Sequence, residues 1–129
     1  MPTFPGDRWM RDFAVTCNED PELALVGKHF NADVLLEIGE ARFLLAVREG
    51  KVRDVLQDPA PLTRWDYALR ASREAWERFI LQPPPPMFHD LFAMLFQGHM
   101  VVEGDTLALM QNLHPTIRML ECMRMVKAA

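Results

Sequence analysis

The sequence predicts an α+β domain: a five-stranded, mainly antiparallel sheet with one buried face, flanked by helices. Three observations carry that prediction. Apolar residues recur every three or four positions over residues 7–27, every second position over residues 30–71, and at helical spacing again beyond. One short strand-like run interrupts the last helical stretch. Tight-turn residues punctuate the central part, and 129 residues is one-domain size.

Asp7 is placed to cap a first helix, DRWMRDFAVTC, in which Trp9, Phe13 and Cys17 fall four residues apart on one face. A second helix starts at once. Asp20 serves as its N-cap, Pro21 suits its first position, Glu22 favours its positive end, and it ends near Gly27. From Phe30 the period becomes two. Val34, Leu36 and Ile38 alternate with Asp33, Leu35 and Glu37 in a first strand. Gly39-Glu40 turns the chain, and Phe43, Leu45 and Val47 return in a second strand. Glu49-Gly50 gives another turn into KVRDVLQ, the third strand. After the loop DPAPL, Trp65, Tyr67, Leu69 and Ala71 alternate with Arg64, Asp66, Ala68 and Arg70. That fourth strand should continue an antiparallel sheet with one buried face.

Ser72 caps a helix whose Trp76, Phe79 and Ile80 share a side. The four prolines at 83–86 exclude helix and central strand, and form a stiff connector. MFHDLFAMLFQ reads as a helix with Phe88, Leu91, Phe92, Leu95 and Phe96 in a wide apolar stripe, stopped by Gly98. HMVVE is the fifth strand, and Asp105 caps the helix TLALMQNL. Pro115 disfavours helix at His114 and predicts a break before a last helix, TIRMLECMRMV. On that helix Ile117, Leu120 and Met123 should share a face, with Arg118 and Glu121 turned away. No internal repeat appears, so residues 1–129 read as a single domain.

Composition narrows the function. A net charge of −4, a pI near 5.5 and basic residues dispersed among acids argue against a nucleic-acid partner. No apolar run reaches the length of a membrane span, and MPTFPGDRWMRDF lacks the apolar segment of an export signal. A cytoplasmic setting without stable membrane insertion is expected. Cys17 and Cys122 should be buried, reduced thiols. His29, His89, His99 and His114 never show a paired ligand spacing, so neither metal nor cofactor is expected.

Catalytic signatures are equally thin: no nucleophile elbow, no phosphate-binding loop, no dinucleotide fingerprint. Glu103 and Asp105 straddle a strand-to-helix turn, where capping explains Asp105. His99, Glu103 and Asp105 are the best catalytic set available, and the expectation is that the chain is not an enzyme. Its excess is apolar instead. Of nine methionines, Met87, Met94, Met100, Met110, Met119, Met123 and Met125 fall in the last third, beside Phe88, Phe92 and Phe96. Methionine fills irregular space without fixing its shape, which points to an apolar cavity there.

Several stretches resemble one known family, the sterol carrier protein type 2 lipid-binding domains. The similar elements are Phe96-Gln97-Gly98 before the fifth strand, the Gly104-Asp105 turn after it, and the helix LALMQNL. FLLAVREGKV is similar to that family's second strand, tight turn and third strand, and ALRASREAWERFI to its fourth strand running into a helix. The order of elements matches across roughly residues 7–125, and departs at PPPP and at the Pro115-broken terminal segment. The resemblance implies helices over one face of the sheet enclosing an apolar tunnel or cavity. It also implies binding of fatty acyl chains, acyl-CoA, phospholipids or sterols without any reaction.

Periodicity and apolarity then select the expected ligand-binding walls: Trp76, Phe79, Phe88, Phe92, Phe96, Met100, Leu109, Met110, Leu113 and Met123. The expected partner is a lipid or other apolar small molecule. The alternative is an accessory interaction module, whose apolar groove receives a helix of a partner enzyme or a second copy in a homodimer, or whose cavity is closed by methionines.

Overall fold

The computed structural model describes residues 4–126. Two helices open the chain, α1 (Asp7–Glu19) and α2 (Pro21–Val26). Asp7 lies inside the first turn of α1 and not before it. Gly6 is the N-cap, and the Asp7 carboxylate accepts from Arg11 Nε at 2.9 Å one turn later. Trp9, Met10, Phe13 and Cys17 form the buried face. Asp20 caps α2 as its type and position require, accepting from Leu23 N–H at 2.8 Å.

Strands β1 (Ala32–Ile38), β2 (Ala41–Arg48), β3 (Lys51–Gln57), β4 (Tyr67–Ala71) and β5 (Met100–Gly104) make one sheet in the order β3-β2-β1-β4-β5. The β1–β2, β2–β3 and β4–β5 pairs are antiparallel. The fourth strand departs from the expected continuation: β4 lies beside β1 and runs parallel to it. Alternation reveals a strand but not its neighbour. Residues 58–66 carry the chain back across the sheet, and Asp66 secures its arrival. Its N–H donates to Asp33 O at 2.8 Å, and its carboxylate accepts from Asp33 N–H at 2.7 Å. Flanked on both sides, β1 is central, and Leu35 is buried on the face opposite Val34 and Leu36.

Two local features set the register. Glu49 (φ 52°) and Gly50 (φ 76°) are both left-handed, as a two-residue type I′ hairpin turn requires. A Cβ on Gly50 would stand 2.6 Å from the Gly27 carbonyl, so this turn packs directly on the end of α2. In β3, Ala46 pairs with Asp54 and Val47 with Val52, which leaves Arg53 as the extra residue of a bulge. The bulge brings Val52 and Val55 to the same buried side despite their spacing of three.

The remaining helices are α3 (Arg73–Phe79), α4 (Leu91–Phe96), α5 (Thr106–Gln111) and α6 (Leu113–Glu121), closed by a 3₁₀ turn at Cys122–Met125. The helix expected over residues 87–97 is shorter. Met87 has φ 75°, and Asp90 starts α4 by accepting from Ala93 N–H at 2.7 Å. The bend expected at Pro115 exists but lies at Asn112, and His114 is helical. Pro115 occupies the first turn of α6, where no intrahelical bond needs its missing N–H. The first such bond runs from Thr116 N–H to Asn112 O at 2.9 Å. All six helices pack on the sheet face that carries Val34, Leu36, Phe43, Leu45, Tyr67 and Leu69, and one continuous apolar core fills the space between.

Candidate functional site

The half of the core under α3–α6 begins with Ser72, whose hydroxyl accepts from Ala75 N–H at 3.1 Å and starts α3. This aims Trp76 and Phe79 inward, their rings edge to face at 5.8 Å. The indole N–H of Trp76 donates to Glu37 O at 3.0 Å, so the one polar atom of that side chain is satisfied. From the other side come Leu91 and Met94 of α4, Met100 of β5, Leu109 of α5, and Met119, Leu120 and Met123 of the terminal segment, all buried.

Arg124 closes this region at one end. Its Nε donates to Phe79 O at 2.7 Å, and its Nη2 to His89 O at 2.8 Å and Phe88 O at 3.2 Å. The guanidinium lies 4.3 Å from the Phe79 ring centre. Burial lowers its pKa from the ordinary arginine value. Phe88 is further held between His99, stacked at 4.5 Å, and Arg78 at 5.6 Å. Deeper in, the Tyr67 and Thr116 hydroxyls share a hydrogen bond of 2.7 Å, and burial pushes the Tyr67 phenol up to about 12.

Of the ten expected walls, Trp76, Phe79, Phe88, Met100, Leu109 and Met123 are buried together in this core. Leu113 packs on it half-buried. Phe92 is half-buried and stacks on Phe96 at 6.1 Å. Phe96 and Met110 stand on the surface, 81 % and 58 % exposed, together with Leu107. Clefts of 610, 550 and 270 Å³ open elsewhere, along α1 and α2, beside Pro115, and between α1 and β3. None of the ten walls lines them.

Three groups lie outside the expected walls. Met94 and Met119, counted in the methionine cluster but not among the walls, are both buried, and Met119 stands one helical turn before Met123. Arg124 gave a weak signal, a cation able to meet the carbonyls ending another helix. Arg118, expected to face away, instead grips Asp20 through Nε at 2.9 Å and Nη2 at 2.8 Å. That bidentate bond holds the Asp20 carboxyl below the usual carboxylate range and raises the arginine above its own.

His99, Glu103 and Asp105 do not converge. His99 stacks on Phe88, Glu103 pairs with Arg70 at 3.0 Å on the uncovered sheet face, and Asp105 caps α5 through Ala108 N–H at 3.0 Å. Among the described residues no group of three His, Cys, Asp or Glu side chains is placed to hold a metal, and no helix is long and apolar enough to cross a membrane.

No protein-family model matches the chain, and a search of curated proteins found no match. Solved structures do match. A crystal structure of sterol carrier protein 2 superposes with a TM-score of 0.79 at 12% identity, over 97% of this chain and 100% of that one. A Thermus thermophilus protein described as possibly a sterol carrier protein gives 0.77 at 13% identity, over 100% and 92%. A UbiJ-SCP2 ubiquinone synthesis protein gives 0.62 at 17%, over 100% and 99%. The chain has the sterol carrier protein 2 fold.

Proposed function

We propose that the chain is a non-catalytic carrier of an apolar ligand, a fatty acyl chain, acyl-CoA, phospholipid or sterol-like lipid. The ligand occupies the interior between the sheet and α3–α6. One observation carries this reading. In a fold shared with sterol carrier proteins, that part of the core is filled by Met94, Met100, Met119 and Met123, unbranched side chains that repack around a guest. Trp76, Phe79 and Phe88 frame the guest, the Tyr67–Thr116 hydroxyl pair orients a polar head, and half-buried Phe92 with exposed Phe96 and Met110 is its entrance. Burial of about a dozen methylenes yields about 10 kcal/mol at ~0.8 kcal/mol each. Association costs on the order of 4–15 kcal/mol, so micromolar, shape-tolerant binding follows. Native mass spectrometry of freshly purified protein, followed by lipid extraction and a fluorescent acyl-probe titration, tests it. The expected result is co-purifying lipid and saturable uptake; a lipid-free chain that takes up no probe sinks the proposal.

A second reading has its own observation. Phe96, Leu107 and Met110 are large apolar side chains left in solvent while the interior is filled. They would then receive an amphipathic helix of a partner enzyme or a second copy. Light scattering after size exclusion separates the two, since a strictly monomeric, lipid-loaded chain contradicts this reading.

A further inference from the structure

Cys17 of α1 and Cys122 at the end of α6 are both buried and reduced. Cys17 Sγ donates to Met119 O at 3.8 Å, the same carbonyl that accepts the Cys122 N–H. One carbonyl thus lies against both cysteines, and the Asp20 carboxylate that starts α2 is clamped by Arg118 of the same terminal helix. The first, second and last helices therefore meet at one dithiol. A single buried cysteine is a small space-filler, but two facing thiols on distant parts of the chain can also bond.

We propose that Cys17 and Cys122 are an oxidisable pair whose disulfide ties the terminal segment to α1. The oxidant is a low-molecular-weight disulfide. One protein thiolate attacks it, forming a mixed disulfide, breaking the reagent's S–S bond and releasing one thiolate that takes up the proton. The other protein thiolate attacks the protein sulfur of that mixed disulfide, closing the Cys17–Cys122 bond and expelling the second small thiol. Two protein thiols are oxidised and one small disulfide is reduced to two thiols. Both side chains are buried, and burial pushes the Cys17 thiol well up, so a disulfide reagent does not reach them while the fold is closed. The reaction waits for local opening of the short 3₁₀ turn, which sits beside the 610 Å³ cleft lined by Thr16, Asp20 and Met125. No ligand in the interior is needed.

The test is incubation of the full chain with oxidised glutathione, then acid quench, unfolding, alkylation and peptide mass mapping. The two thiols should disappear together, giving an intrachain cross-link between Cys17 and Cys122 that lacks two hydrogens and carries no glutathione. Amide exchange across residues 116–125 should slow, the unfolding midpoint should rise by about 5 °C or more, and dithiothreitol should reverse all three. Cys122→Ser, or Cys122→Ala should serine destabilise the chain, should abolish the cross-link. Free thiols that persist while the exposed thiol of Leu62→Cys is fully oxidised would overturn the proposal. So would accumulation of mixed disulfides alone, or a cross-link that leaves exchange at 116–125 unchanged.

Discussion

Under α1 and α2 the interior is mostly rings and β-branched side chains, Trp9, Phe13, Phe30, Phe43, Val34 and Val47, with Met10 among them; under α4–α6 four methionines, Met94, Met100, Met119 and Met123, lie among Leu91, Leu109 and Leu120. Both halves are apolar and continuous with each other. They differ in stiffness. Rings and β-branched side chains have few rotamers and hold one shape, whereas methionine has three rotatable bonds and little shape preference. One half is a scaffold that defines the sheet's curvature and the place of α1. The other can yield to a guest without dismantling the fold.

The largest effect should come from the stiff half. Phe13→Ala should cost about 3–5 kcal/mol in chemical denaturation, because its rigid neighbours cannot collapse into the hole, with acyl-probe affinity unchanged. A cost under about 1 kcal/mol would erase the contrast in packing.

Next is the clamp between the halves. Arg118→Met should cost about 2 kcal/mol, less than the ~3–5 kcal/mol of a fully buried pair, since Arg118 is partly exposed and Asp20 keeps its bond to Leu23 N–H. The pH dependence has a definite sign. Asp20 is held low chiefly by its hydrogen bond to Arg118, so its stabilisation is present above about pH 4 and lost as pH falls through its lowered value. Stability curves of Asp20→Asn should therefore run flatter than wild type below about pH 4; parallel curves would remove Asp20 from the acid response.

Met123→Ala should lie at the bottom of the range for a buried methionine, about 2 kcal/mol, and should shift acyl-probe affinity severalfold. A loss near 4–5 kcal/mol with unchanged affinity would mark the methionine half as ordinary rigid core. The smallest effect belongs to the surface. Phe96→Ser should stay within about 0.5 kcal/mol of wild type while slowing probe uptake in stopped flow. Unaltered uptake would take Phe96 out of the entrance.

The elements were legible because turns and periods are local. Gly39, Gly50, Asp20 and Ser72 mark their boundaries by their own chemistry, and the α3 and β2 faces follow from spacing alone. The place of β4 was not, since pairing with β1 depends on a crossover, although a buried Leu35 opposite Val34 and Leu36 is what a central strand carries. Pro115 misled for a positional reason: the same residue breaks a helix interior and suits a helix start. For the site, periodicity found the inward aromatics Trp76 and Phe79. It could not tell that Phe96 faces solvent, because α4 runs only over Leu91–Phe96 and turns Leu91 and Met94 inward, leaving Phe96 at its last position outside.

Trp76 allows the most direct test, because it lies at the wall of the proposed site and the other tryptophans can be removed. In a Trp9→Phe, Trp65→Phe chain the remaining emission comes from Trp76 alone, and a fatty acid brominated at mid-chain quenches only a tryptophan it nearly touches. Saturable quenching at micromolar concentration is expected, with about one acyl chain bound per protein. Binding of the brominated chain, seen by native mass spectrometry, with Trp76 emission left unchanged would contradict it.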